Sequence, residues 1–206
     1  MQLSSAQHDA LVELLNIGFG RAGASLSSLT GHRVLLEVPH VAIHPVAELN
    51  ASLGQYMSGD VASVHQEFGG PVGGDAMLIL DPVAAATLKE LLTNEPALPL
   101  ALDASAREVL TEVGNILLNA CLGTFGNLLK VPISFSVPDI DVASVRAVVE
   151  RLIGVGGDSF RYALVVTAGF RLREAAVTGY VVIVLTVQSL TRLLVAVDKW
   201  ERDQLP

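Results

Sequence analysis

The chain has little of what several classes of protein function require. It has a single cysteine, Cys121, among 206 residues, which excludes an internal disulfide and a zinc site built on thiolates. Aromatic residues make up 5% of the chain, and its 13 basic residues are outnumbered by 21 acidic ones, giving a net charge of −8. Few stacking platforms and an excess of negative charge disfavour phosphate backbones, so we expect no nucleic-acid partner.

Long apolar runs are also lacking. The longest strongly apolar stretch, Tyr180 to Val187, is far shorter than the roughly 18 residues that a transmembrane helix needs. Residues 1–9 are polar and do not resemble a secretory signal. Hydrophobic content of 51% with 17% charged residues predicts a folded protein with a sizeable core. We expect a cytoplasmic protein without membrane insertion.

One polar motif is present twice, at a distance of 99 positions. Both copies have the spacing E-x2-N-x22-P and consist of these residues: Glu13, Asn16 and Pro39, then Glu112, Asn115 and Pro138. Internal repetition of this kind indicates a single domain made of two related halves, about 1–98 and 99–206. The stretch from Thr93 to Leu100 contains two prolines and is the natural connection between them.

The hydrophobic pattern predicts the same order of elements in each half: a helix, three strands and a helix. The predicted ranges are 6–30, 33–47, 61–68, 76–80 and 83–92 in the first half and 104–129, 133–137, 161–171, 176–186 and 188–200 in the second. Short glycine-rich loops cannot make parallel crossovers, so the sheet should be mainly antiparallel. We therefore predict an α+β fold in which both halves share one sheet flanked by helices.

The motif residues lie on the polar side of the two long helices. At 100° per residue, Glu13 and Asn16 point away from the stripe formed by the apolar residues of the first helix. Asp9 shares this polar side, as Glu108 does beside Glu112 and Asn115 in the second helix. Asparagine forms helices poorly, so its repetition at one position in both helices indicates selection by something outside the fold.

Several other residues have structural explanations. Pro39 and Pro138 are expected to end or edge the strands that follow the long helices, because proline has no N–H for a sheet ladder. Ser105 and Glu108 have the spacing of a capping box, which competes with a functional role for Glu108. Cys121 lies on the apolar side of its helix and is expected to be a small core residue.

Two patterns that suggest ligand binding are set aside. Gly18-x-Gly20-x-x-Gly23 matches a dinucleotide fingerprint, but it lies inside a helix instead of at a strand-to-helix turn. Small residues there are better explained by close packing. His40 and His44 lie about 13 Å apart on an extended segment, too far to share a metal. We expect no metal and no cofactor on this chain.

The paired motif resembles that of the CheC family of chemotaxis phosphatases, within the CheC/CheX/FliY superfamily. The pattern of this family is [D/S]-x3-E-x2-N-x22-P, usually present twice. The first copy matches it fully from Asp9 to Pro39, whereas the second has Glu108 where Asp or Ser is expected. The tandem arrangement covers the whole chain and is most similar to two-site CheC.

The resemblance implies hydrolysis of the aspartyl phosphate on a CheY-type response regulator, which would bring its own Mg²⁺ and Lys. By the same resemblance, Asn16 and Asn115 would orient the attacking water, while Glu13 and Glu112 would pair with the partner's Lys. An asparagine amide suits the first task because it donates and accepts hydrogen bonds without adding negative charge. Asp9 and Glu108 would support the sites.

Two alternatives remain open. One is a module of the same fold that binds a response regulator, the receptor deamidase CheD or the flagellar switch without hydrolysis; the resemblance places a CheD contact loosely on residues 188–200. Switch-complex relatives lack the Glu and Asn pairs, which favours catalysis here. The other is a metal hydrolase using Asp9 and Glu13, which lacks a His or third acid on the same helix side.

Overall fold

A computed structural model describes residues 3–96, 103–156, 160–172 and 175–204. The helices of the described residues are α1 (Ser5–Thr30), a 3₁₀ turn (Val46–Glu48), α2 (Leu49–Leu53), α3 (Pro82–Thr93), α4 (Ala104–Leu129), α5 (Val145–Gly156) and α6 (Val187–Gln204). The strands are β1 (Val34–Pro45), β2 (Asp60–Gly69), β3 (Gly74–Leu80), β4 (Ser134–Phe135), β5 (Asp139–Ser144), β6 (Phe160–Leu172) and β7 (Ala175–Thr186). We call residues 3–96 the N-terminal segment and residues 103–204 the C-terminal segment.

All the strand pairs of the described residues are antiparallel, in one sheet of order β1-β6-β7-β3-β2-β4, with β5 also paired to β2. The central pair, β3 and β7, joins the two segments. Each segment also lends its first strand to the other: β1 pairs with β6, and β4 and β5 pair with β2. The predicted α+β class with an antiparallel sheet is therefore confirmed.

Helices cover both sides of the sheet. On one side α1, α3, α4 and α6 pack over the larger part of the core, which contains residues of both segments. On the other side α2 and α5 enclose a smaller cluster that includes Leu53 and Leu152. Hydrophobic faces on both sides of the sheet are thus buried, which is what an apolar sheet of this width requires.

The long helices begin at different kinds of cap. At α1, Ser4 and Gln7 form a capping box, with the Ser4 hydroxyl accepting from the Gln7 N–H. At α4 the cap is Asp103, whose carboxylate accepts from the Ala106 N–H at 2.7 Å. The predicted capping box of Ser105 and Glu108 is therefore wrong, because the helix begins two residues too early for it. The Asp103 carboxylate already accepts from an N–H of the first turn.

Close packing explains two of the three glycines in the pattern Gly18-x-Gly20-x-x-Gly23. A Cβ on Gly18 would lie 2.9 Å from the Thr124 hydroxyl of α4, and one on Gly23 would lie 3.1 Å from a backbone oxygen of β1. These glycines let α1 approach its neighbours, as the sequence predicts. Gly20 differs from them, since a Cβ there would contact nothing within 4 Å.

Two helices were not predicted from the sequence. The helices α2 and α5 follow the first strand in each segment, where the pattern indicates only strands and loops. The predicted strand 133–137 is found only at β4, Ser134–Phe135, and β5, which begins at Asp139, was not predicted. The predicted connection, Thr93 to Leu100, lies partly outside the described residues. The division into halves near residue 98 stays a prediction.

The helix α4 is central to the core. Cys121 is fully buried on it, and burial raises the pKa of the Cys121 thiol, so the residue is an inert core side chain as predicted. By length and composition, α4 is the one helix of the described residues that reaches the threshold for crossing a membrane. More than half of that stretch is buried against α1, α6 and the sheet, which is typical of a core helix.

Candidate functional site

The first copy of the motif displays its polar residues on the outside of α1. Glu13 and Asn16 are both exposed, while Leu14 and Leu15 beside them are buried. The helical spacing predicts this orientation. The Asn16 amide is not free to turn, because its Oδ1 accepts a hydrogen bond from the Val38 backbone N–H at 3.0 Å. Among the described residues its Nδ2 group donates no hydrogen bond, so both of its protons are available to a ligand.

A bulge in β1 supplies the donor for Asn16. Glu37 pairs with Gly169 and His40 pairs with Thr167, so Val38 and Pro39 together oppose the single residue Ala168. One extra residue on an edge strand is where proline is tolerated, since it has no N–H to pair. Pro39 therefore lies within the edge strand, at its irregularity, and does not end it. Asn16 accepts from the N–H that the bulge leaves beside it.

Asp9 and two histidines lie next to this copy. The Asp9 side chain is 82% exposed, and its Oδ1 is 3.3 Å from Nδ1 of His8. The His8 ring lies 6.1 Å from the ring of His40, measured between centroids. His44 instead contacts the Ser52 hydroxyl, so the two histidines of β1 have separate partners. In the part of the chain that the structure describes, no group of three or more His, Cys, Asp or Glu side chains is placed to hold a metal.

The second copy has a similar backbone. Glu108 and Glu112 are exposed on α4, and Pro138 lies in the break between β4 and β5. Phe135 pairs with Phe68 and Asp139 pairs with His65, so three residues of this strand oppose two of β2. The strand that carries Pro138 thus contains one extra residue, as β1 does at Pro39.

Side chains around the second copy differ from those around the first. Asn115 is only partly exposed. Its Oδ1 accepts from Asn119 Nδ2 at 2.8 Å and, more weakly, from Gln66 Nε2 at 3.4 Å. The bulge residue Val137 is 89% exposed, whereas its counterpart Val38 is buried. The helical spacing predicts that both amides are exposed. Full exposure is observed only for Asn16.

Sequence reasoning missed Gln66 and Asn119. Gln66 lies on β2, is 1% exposed and also donates from Nε2 to the Ser136 carbonyl at 2.9 Å. Its contact with Asn115 depends on which strand pairs with which, and the motif spacing carries no information on that. Asn119 lies one helical turn after Asn115 and is detectable as an i,i+4 amide pair. The first copy has Gly20 at that position.

Comparisons with known proteins concern the sequence and the fold. No protein-family model matches the chain. The CheY-P phosphatase CheC of Bacillus subtilis (strain 168) is 26% identical over 152 residues, which are 72% of this chain and 72% of CheC. The crystal structure of Thermotoga maritima FliY superposes with a TM-score of 0.77 over 97% of this chain and 99% of FliY, at 20% identity. The chain is therefore similar in sequence to CheC and has the fold of FliY.

The same fold is found in another protein. The middle domain of FliM from H. pylori shares the fold at 13% identity, with a TM-score of 0.62 over 94% of this chain and 99% of that domain. This chain therefore resembles a CheY-P phosphatase in sequence and the FliM middle domain in fold. The fold alone does not distinguish these functions, so the side chains of the site must do so.

Proposed function

We propose that this protein is a phosphatase that removes the aspartyl phosphate from a CheY-type response regulator. The relative at 26% identity is a phosphatase for CheY-P, and this chain has the Glu and Asn residues of the family motif in both copies. The substrate, a phosphorylated response regulator, would be cytoplasmic. The partner is expected to bring the Mg²⁺ and the Lys that neutralise the phosphoryl group, so this chain needs no metal of its own.

The observation that carries the proposal is the arrangement of Glu13 and Asn16. Both side chains project from a rigid helix into solvent, one turn apart, and the Asn16 oxygen is fixed by the Val38 N–H. The oxygen satisfies the Val38 N–H, whereas the Nδ2 group has no partner among the described residues. An amide oriented in this way suits insertion into the active site of another protein, where a side chain held in advance loses little entropy on binding.

The reaction would proceed by direct attack of water on phosphorus. Asn16 Nδ2 donates to the water oxygen and holds it in line with the bond from phosphorus to the Asp oxygen of the partner. The water oxygen bonds to phosphorus as that bond breaks, and the partner's Asp leaves as a carboxylate. The water proton passes to a phosphate oxygen, so the products are inorganic phosphate and the unmodified regulator. Positioning of the nucleophile is the contribution of Asn16 to the chemical step.

Glu13 is the second group of the proposed site. Its carboxylate is exposed one turn before Asn16 and would pair with the Lys of the regulator. Such a pair fixes the depth and angle at which α1 enters the partner. Asp9, one turn further towards the start of α1, lies at the rim and would contribute to docking through its charge.

The test is the loss of labelled phosphate from a phosphorylated response regulator. We expect the double variant Asn16→Ala, Asn115→Ala to be slower than the unmodified protein by about 10²-fold or more, because positioned water is lost from both copies. Asn127 is exposed on α4, and Asn127→Ala is the matched control, which should leave the rate unchanged. Thermal unfolding of each variant verifies that the fold is intact. A double variant as fast as the unmodified protein would refute the proposal.

The alternative function is binding without hydrolysis. It is favoured by one observation, the engagement of the Asn115 oxygen by neighbouring side chains. A scaffold of this kind would bind the phosphorylated regulator, CheD or the flagellar switch and leave the phosphate in place. Measurement of binding and turnover on the same sample separates the two functions, because only a phosphatase releases inorganic phosphate.

A further inference from the structure

The two copies of the site are not equally ready to act, and the difference lies in two residues outside the motif. The repeat offset places Gly20 of α1 at the position of Asn119 in α4. The sheet register places Ala168 at the position of Gln66, since His40 pairs with Thr167 just as Asp139 pairs with His65. The first copy thus has two residues without polar side-chain groups where the second copy has two amides.

The amides of the second copy hold Asn115 through its oxygen. Asn119 Nδ2 donates to Asn115 Oδ1 from one side, at 2.8 Å, and Gln66 Nε2 bridges Asn115 Oδ1 and the Ser136 carbonyl from the sheet. Asn16 instead accepts one bond from a backbone N–H. Asn115 is also only partly exposed, so it can reach outward as Asn16 does only if its bonds with Asn119 and Gln66 are broken.

The same network carries a cost that a purely structural cluster would avoid. The oxygens Gln66 Oε1 and Asn119 Oδ1 are buried and have no hydrogen-bond partner among the described residues. Unsatisfied buried oxygens are unfavourable and are uncommon in native proteins. Residues without polar side-chain groups, such as Gly20 and Ala168 at these positions in the first copy, avoid that cost. The amides are therefore better explained by their action on Asn115 than by packing.

We propose that Gln66 and Asn119 are positioning residues that restrain Asn115, so that the first copy performs most of the turnover and the second is held back. This inference rests on the proposed phosphatase function. The restraint acts on the orientation of the Asn115 amide and leaves Glu112 exposed, so docking at the second copy is preserved while the chemical step is slowed. The second copy would bind the regulator better than it dephosphorylates it.

The kinetic test isolates the second copy by starting from Asn16→Ala. Adding Gln66→Ala and Asn119→Ala should raise kcat about fivefold or more, the effect of removing an ordinary hydrogen bond, with KM little changed. Alanine at position 119 is chosen because it preserves helix propensity. Asn127→Ala in the same background is the matched control and should change neither constant. A kcat that stays level or falls in a folded triple variant overturns the inference.

The reverse exchange tests the first copy. Starting from Asn115→Ala, Gly20→Asn places an amide one turn after Asn16, at a position with open space around it. We expect kcat to fall. Unchanged turnover after this exchange counts against the inference, and because Gly20 is exposed the variant should fold normally.

A spectroscopic measurement examines the network without any partner. In nuclear magnetic resonance spectra, Asn115→Ala should shift the side-chain amide signals of Gln66 and Asn119, whereas Asn16→Ala should shift the backbone amide of Val38. Signals of Gln66 and Asn119 that do not move would refute the network itself. If these signals move as expected but no variant releases phosphate, the proposed function fails and the inference about turnover fails with it. If phosphate is released without a gain from Gln66→Ala and Asn119→Ala, only the inference fails.

Discussion

The first and second copies of the motif have nearly the same backbone but different surroundings. Each consists of a 26-residue helix followed by a strand with one extra residue next to a proline. Asn16 accepts from a backbone N–H, whereas Asn115 accepts from two amides, and Ala168 has the register position in the first copy that Gln66 has in the second. A repeated motif therefore specifies where its residues lie on the helix, while neighbours from elsewhere in the chain decide what those residues can do.

The exchange of strands between the segments explains this difference. The strand opposite the first copy is β6, from the C-terminal segment, and the strand opposite the second copy is β2, from the N-terminal segment. Each site is thus built from both segments. A substitution in either segment can alter one site without touching the other, so duplicated sites can diverge while the motif stays unchanged.

The largest expected effect that separates the two copies is on catalysis. Asn16→Ala should remove most of the dephosphorylation activity, whereas Asn115→Ala should remove only a minor part, since Asn115 is already restrained. The comparison needs initial rates of phosphate release from one labelled response regulator at equal protein concentrations. Equal losses in the two single variants would show that the copies are equivalent despite their different surroundings.

The next effect is on stability and concerns the packing of the two long helices. In α4, Gly114 lies so close to β2 that a Cβ would be 2.5 Å from Val64 Cγ1, whereas the corresponding residue of α1 is the buried Leu15. Gly114→Ala should lower the free energy of unfolding by about 1–3 kcal/mol through overpacking. Denaturant titration measures this value. No loss of stability would mean that α4 can move away from the sheet.

The smallest effect is a gain in stability at the corresponding open position. Gly20 is exposed in the interior of α1, and a Cβ there meets nothing within 4 Å. Gly20→Ala should raise the free energy of unfolding by about 0.5–1 kcal/mol, because alanine loses less backbone entropy in a helix. The same titration verifies it. A decrease would indicate a contact at Gly20 that the free protein does not show.

Much of the fold could be predicted from periodicity. The helices at 6–30 and 104–129 agree with α1 and α4 to within a residue, because long amphipathic stretches give a strong signal. The helices α2 and α5 were not predicted. The first has only five residues, and the second covers a 12-residue stretch for which no element was predicted. The capping box at Ser105 failed for a local reason: Asp103, two residues earlier, is an equally good cap.

The candidate site could be predicted in part. Spacing alone placed Glu13, Asn16 and Glu112 in solvent, because residues three or four apart lie on one side of a helix. It did not predict the hydrogen bonds that Asn16 accepts from Val38 and Asn115 accepts from Gln66. These contacts join residues 22 and 49 positions apart, and only the packing of the helices against the sheet brings them together. Asn119, four residues after Asn115, is instead readable from the sequence. The catalytic roles of Glu13, Asn16 and Glu112 stay proposals.

The sequence by itself determined the class of fold, the two long helices and the residues that each displays, because these depend on periodicity along a short stretch of chain. Only the tertiary structure decided which strand lies opposite each motif. That choice depends on contacts between distant parts of the chain, and it sets Gln66 beside Asn115, with Ala168 at the corresponding register position of the first copy. This part of the difference between the two sites comes from sheet pairing, which local spacing does not encode.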